Sequence, residues 1–193
     1  MRTSMHLSLA LAAGLLPAAP AAAQDYALHT LGDWTVAASK DQSGCFATRT
    51  YDGTGATTLL LGLDVDGSNR LSVLNDNWSI KPRQALKLRF RLSSGGYVDH
   101  PVVGIAADGK QGFVTSFEAK FPEYLAGSNA LDISRGDVPV EALDLAGSGA
   151  AVAELRRCVA LFKAAPPRPR ARDRAGQIPR DPFAPASKRR SRD

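Results

Sequence analysis

Histidine and cysteine are scarce in this 193-residue chain, which holds three His and two Cys. A zinc site needs three or four Cys, His or carboxylate ligands. His6, His29 and His100 are far apart in sequence, so no ligand set forms, and neither metal nor cofactor is expected. There is no Cys-x-x-Cys, which removes the basis for a thioredoxin-like role. No glycine-rich phosphate loop stands between a strand and a helix. No apolar run approaches the ~20 residues that a membrane-spanning helix needs. Aromatic residues make up only 7% of the chain. Trp34 and Trp78, with Tyr51, Tyr97 and Tyr124, would otherwise suggest a carbohydrate groove. At this density they read as core or rim, since each carries a large packing area and one polar atom.

What the chain does have begins with its leader. Arg2 supplies a positive start, Leu7 to Leu16 an apolar stretch, and Ala21 and Ala23 the small residues of a cleavage site before Gln24. This is the pattern of a secretory signal peptide. The apolar run is too short for a span and is broken by Gly14, Pro17 and Pro20. Residues 1–23 are therefore expected to be removed, leaving a periplasmic or secreted protein. In such a compartment an even number of cysteines favours a disulfide. Cys45 and Cys158 allow one intramolecular pairing, and the alternative is a pair of free or redox-active thiols. A bridge across so long a loop would be worth ~4–5 kcal/mol in the chain-entropy picture.

Charge divides the mature chain. Residues 166–193 carry nine Arg or Lys against three Asp, with six prolines and almost no large apolar side chains. Such a segment cannot bury enough surface to offset its ordering entropy, and is expected to be a disordered basic tail. It reads either as a tether to something anionic or as a solvated tail that keeps the protein soluble. Residues 24–165 hold fourteen basic and sixteen acidic side chains, so the expected folded domain is slightly acidic.

Within that domain, short apolar runs alternate with turn residues. Trp34–Ser39, Cys45–Tyr51, Thr57–Val65, Leu71–Trp78, Leu86–Leu92, Tyr97–Ala106, Gly112–Phe117, Leu131–Ser134 and Val138–Leu145 read as strands. Asp66-Gly67 and Asp108-Gly109 between such runs are hairpin signals. Phe121–Ala126 reads as a short helix. A longer helix begins at Ser148, a good N-cap. Val152, Leu155, Val159 and Phe162 line one face of it, Cys158 lies beside that stripe, and Pro166-Pro167 ends it. The expected fold is mainly β, an antiparallel sandwich or small barrel with one C-terminal α-helix.

The chemistry on offer is thin. His100 is the only candidate base for a hydrolase, with Asp99 beside it. Ser148 is the only serine in a glycine-flanked setting, but the Gly-x-Ser-x-Gly elbow is absent. Asp64-Val65-Asp66-Gly67-Ser68-Asn69 lacks the glycine at six and glutamate at twelve of a calcium loop, so it reads as a hairpin turn. The most informative surface is basic. Between Asn77 and Val98 the charged residues are Lys81, Arg83, Lys87, Arg89 and Arg91, with no acid among them. In Leu86–Leu92 the leucines and Phe90 point one way and Lys87, Arg89 and Arg91 the other. That face suits an anionic partner; it also suits a solvated edge that resists aggregation.

Gly32-Asp33-Trp34-Thr35-Val36, with Gly44-Cys45-Phe46-Ala47 soon after, resembles the opening of small alphaproteobacterial periplasmic proteins of the invasion-associated locus B type. Leu143 to Ala151, with Leu155 and Cys158, is similar to the endings of that group. It is similar also to type VI secretion accessory proteins of the VasI/TagO kind. The resemblance implies a periplasmic, sandwich-like accessory protein and transfers no catalytic residue. The expectation is a noncatalytic envelope accessory or binding protein. Its partner would be an anionic lipid, lipopolysaccharide or glycan, or another protein, rather than nucleic acid. The alternatives are a hydrolase using His100 and an inhibitor of a periplasmic enzyme.

Overall fold

The structure is a computed structural model that describes residues 26–164. The expected signal peptide and basic tail lie outside the described residues. Ten strands form one antiparallel sheet: β1 (His29–Leu31), β2 (Trp34–Ala38), β3 (Gly44–Thr50), β4 (Thr58–Asp64), β5 (Asn69–Asn75), β6 (Ala85–Leu92), β7 (Gly95–Ala107), β8 (Lys110–Thr115), β9 (Ala130–Arg135) and β10 (Val138–Asp144). A short helix, α1 (Phe121–Ala126), precedes β9, and α2 (Ser148–Ala164) ends the described chain. The mainly β fold with a C-terminal helix is thus the one that forms.

Strand order is β1-β2-β3-β4-β5-β8-β7-β6-β9-β10. Strands β1 to β5 form a meander. The chain then crosses past β8 and β7 to lay down β6, and returns through two hairpins. Asp108 and Gly109 both adopt left-handed backbone conformations (φ 52° and 80°) in the two-residue turn between β7 and β8. That geometry matches the right-handed twist of the flanking strands. In β6 the burial alternates as the sequence dictates, with Leu88, Phe90 and Leu92 buried and Lys87, Arg89 and Arg91 exposed.

Trp34 of β2 and Leu143 of β10 belong to one buried cluster although they stand near opposite ends of the strand order. The sheet is therefore curled about a single core, sandwich-like, and no backbone ladder joins its ends. Side chains bridge the seam instead. Thr57 Oγ1 donates to Glu141 Oε2 (2.6 Å), Tyr51 OH to the Asp144 carbonyl (2.8 Å) and Trp34 Nε1 to the Ala146 carbonyl (2.9 Å).

Helix α2 packs on β2, β3 and β4 through Val152, Leu155 and Val159. Cys158 is bonded to Cys45 of β3, with the two Cα atoms 6.2 Å apart, so the bridge fastens the last helix to the third strand. Ser148 differs from expectation. It is the first helical residue, and its hydroxyl donates to the Leu125 carbonyl of α1 (3.1 Å) rather than capping its own helix. Gly147 takes the position before it at φ 81°, with the Trp34 ring packed where a Cβ would project.

Candidate functional site

The five basic residues singled out from the sequence fall into two groups. Lys87, Arg89 and Arg91 occupy the exposed face of β6, as alternation requires. Lys81 and Arg83 lie on the crossover loop between β5 and β6, also exposed. That loop is held tightly. Arg83 N donates to the Gly104 carbonyl and Gly104 N to that of Gln84, both at 2.8 Å. Position 104 must be glycine, because a Cβ there would collide with the Lys81 carbonyl. Arg83 itself is left-handed (φ 68°), a cost the two backbone bonds sustain.

The face is not uniformly cationic. Arg91 stands opposite Asp132 in the β6–β9 register, and its Nε and Nη2 donate to Asp132 Oδ2 at 3.0 and 2.8 Å. Among the described residues, Lys81, Arg83, Lys87 and Arg89 enter no ion pair. Arg89 and Arg91 line one wall of a groove of about 540 Å³, whose other walls include Asp137 and Glu141. The acids come from the β9–β10 hairpin, Asp137 from its turn and Glu141 from β10, some forty to fifty residues along the chain; only the fold brings them beside the basic strand.

A second groove, of about 310 Å³, opens on the other side of Pro139 and Val140 and is lined by Trp78, Ile80, Leu86 and Arg135. It exists because β9 pairs with β6 only through Arg89–Arg91, leaving the start of β6 uncovered on that side. Trp78 is half-buried and stacks on Phe113 with ring centroids 6.0 Å apart. Trp34, by contrast, is 1% exposed and belongs to the core.

His100 is partly buried in an aromatic cluster, stacked on Phe117 (4.2 Å) and edge-on to Phe90 and Tyr97. Its Nε2 lies 3.1 Å from the Ser116 carbonyl and 2.9 Å from Thr115 Oγ1. A carbonyl only accepts, so Nε2 carries the proton and donates. The Thr115 hydroxyl donates onward to the Pro101 carbonyl (2.8 Å). No carboxylate bonds the ring among the described residues, Asp99 is exposed, and Ser148 is 2% exposed within the core. The geometry therefore lacks the base, orienting acid and nucleophile of a triad. Asp64 to Asn69 forms the expected hairpin turn, with Gly67 N donating to the Asp64 carbonyl (3.0 Å). No cluster of three metal-ligating side chains occurs among the described residues.

Two polar networks were not visible from the sequence. Arg49, on β3, is nearly buried and reaches four acceptors. Its Nη1 donates to the carbonyls of Asp144 (3.0 Å) and Ala146 (3.1 Å), and its Nη2 to Asp33 Oδ2 (3.0 Å) and Asp144 Oδ2 (3.1 Å). Its guanidinium also lies over the Tyr51 ring at 4.7 Å, and burial pushes the Tyr51 hydroxyl up to about 12. Glu154, on α2, accepts from Tyr26 OH (2.7 Å) and Arg157 Nη1 (2.9 Å) and sits 3.1 Å from His29 Nδ1. The Tyr26 hydrogen bond, helped by Arg157 and His29, holds the Glu154 carboxyl below the usual glutamate range. These contacts fasten the first described residues to the last helix.

A curled antiparallel sheet with a disulfide-fastened terminal helix defines the structural class. Within it, the fold is similar to the crystal structure of invasion associated protein B from Bartonella henselae, with a TM-score of 0.53 and 17% identity. The match covers 72% of this chain and 99% of that one. No protein-family model and no curated protein matches the sequence. The likeness concerns the fold, and lends nothing to the type VI secretion resemblance. Among the described residues, no helix is long and apolar enough to cross a membrane.

Proposed function

We propose that this chain is a noncatalytic accessory or binding protein of the bacterial envelope that meets an anionic partner through the outer face of β6. The observation that carries this reading is the set of exposed cations, Lys81, Arg83, Lys87 and Arg89, which stand without ion-pair partners among the described residues although the domain around them is net acidic. Unpaired surface cations confer on-rate and orientation toward anions more than raw affinity. Support for an exported setting comes from the leader pattern at residues 1–23 and from the Cys45–Cys158 bridge, which persists in oxidising compartments. The fold shared with an invasion associated protein is in keeping with an accessory role. The basic residues 166–193 would add reach to the same interaction.

The test is cosedimentation of the mature protein with anionic vesicles and, separately, with peptidoglycan. Lys87→Glu, Arg89→Glu and Arg91→Glu together are expected to weaken retention on at least one of them. Unchanged retention on both would remove the β6 face from the interaction.

A further inference from the structure

We propose that the groove beside Trp78 binds a single-chain anionic amphiphile, a fatty carboxylate, with its chain against the apolar wall and its head at Arg135. This site is separate from the outer face of β6 and does not depend on it.

The groove is a product of topology. The crossover loop carries Trp78 and Ile80 past β8 and β7, and the tip of the β9–β10 hairpin carries Arg135 and Val140. Both elements flank the beginning of β6, where β9 has stopped pairing. Leu86 and the edge of Leu88 are thereby left facing an opening rather than a neighbouring strand. Trp78 is fixed by its stack on Phe113, which makes the wall a preformed surface and lowers the ordering cost of binding. The volume of about 310 Å³ is at the small end of ligand pockets, which suits one chain of medium length and not a two-chain lipid.

Charge selects the head group. Arg135 is the one charged residue lining this groove among those described, and no acid lines it. Arg135 is exposed and makes no ion pair among the described residues. A trough walled by Trp78, Ile80, Leu86 and Val140, with Asn77 and Ser79 as its neutral polar part and Arg135 as its one cation, complements an apolar chain that ends in a carboxylate, to which an Arg fork donates in a planar two-bond geometry.

Titration of the mature, full-length chain with decanoate, below its aggregation concentration, tests this directly. Trp34 is sealed in the core, so the responding indole is Trp78. The expected result is a saturable change in tryptophan emission, abolished in Trp78→Phe and matched by calorimetric binding. Val140→Asp and Arg135→Glu should each weaken binding by roughly tenfold or more, Arg135→Lys should restore part of it, and decyltrimethylammonium should bind at least about tenfold more weakly than decanoate. Arg135 is exposed and Val140 is only partly buried against the core, and an unchanged circular dichroism spectrum shows that the variants remain folded. The proposal is overturned by no saturable binding, by equal affinity in Val140→Asp, or by equal affinity for the two amphiphiles. Charge reversal on β6 provides the separation: vesicle retention lost with decanoate binding kept means that the two sites are distinct.

Discussion

Arg49 and Asp144 hold the open sheet together. The guanidinium donates to both the carboxylate and the backbone carbonyl of Asp144, 95 residues away, joining β3 to the end of β10 where no ladder hydrogen bonds exist. The two carboxylates it meets are largely exposed, Asp33 at 73% and Asp144 at 59% of their side-chain area. Water screens them, so each ion pair contributes little. The carbonyls of Asp144 and Ala146 matter more, because the nearly buried guanidinium joins both at once, and without it each keeps a single side-chain donor, Tyr51 OH or Trp34 Nε1. Arg49→Ala is expected to cost about 2–3 kcal/mol in urea unfolding. Asp33→Ala should cost less than about 1 kcal/mol. Equal costs would mean that the ion pairs, and not the carbonyls, fasten the seam.

Stability should fall in acid through Glu154. Its folded carboxyl titrates below its unfolded value, so the stabilisation is complete above the unfolded range of about 4.3 and disappears as pH drops through the folded value. Tyr26 is the main cause of the depression. Tyr26→Phe is therefore expected to lower stability by about 1 kcal/mol near neutral pH, with the gap from the wild type closing as the solution is acidified. Parallel stability curves across that range would contradict the assignment.

The disulfide fixes α2 to β3 over a sequence separation of 113 residues. Replacing both cysteines with alanine should lower unfolding free energy by roughly 2–5 kcal/mol. Native protein should show no thiol that reacts with Ellman's reagent until a reductant is added.

Much of this architecture is local and was legible in the sequence. The alternation in Leu86–Leu92, the Asp108-Gly109 turn and the apolar stripe of α2 each follow from a short stretch of chain, because side-chain direction has a fixed period in strands and helices. The short β1 was missed, since three residues carry no periodicity. Arg49, Glu154 and the Arg91–Asp132 pair were missed for another reason. Their partners lie far along the chain, and nothing in the local pattern of either partner announces the other. Ser148 shows the converse error: a sound local signal for a cap was overridden by the Leu125 carbonyl that α1 presents to it.

Asp132 should act as a brake on anion binding by the β6 face. Its carboxylate occupies Arg91 and repels an approaching anion. Asp132→Asn is expected to strengthen retention on anionic vesicles by a few fold, in line with an exposed pair worth up to about 1 kcal/mol. Weaker retention in that variant would show that Arg91 needs Asp132 to present it.

The most direct measurement is the salt dependence of retention on vesicles of mixed phosphatidylcholine and phosphatidylglycerol. Exposed charges are screened over about 10 Å at 0.1 M salt. Wild-type retention should fall steadily as salt is raised, and the protein carrying Glu at 87, 89 and 91 should show weaker retention at low salt and a flatter dependence. Identical curves for the two proteins, or retention indifferent to salt, would contradict a β6 face that binds anionic lipid.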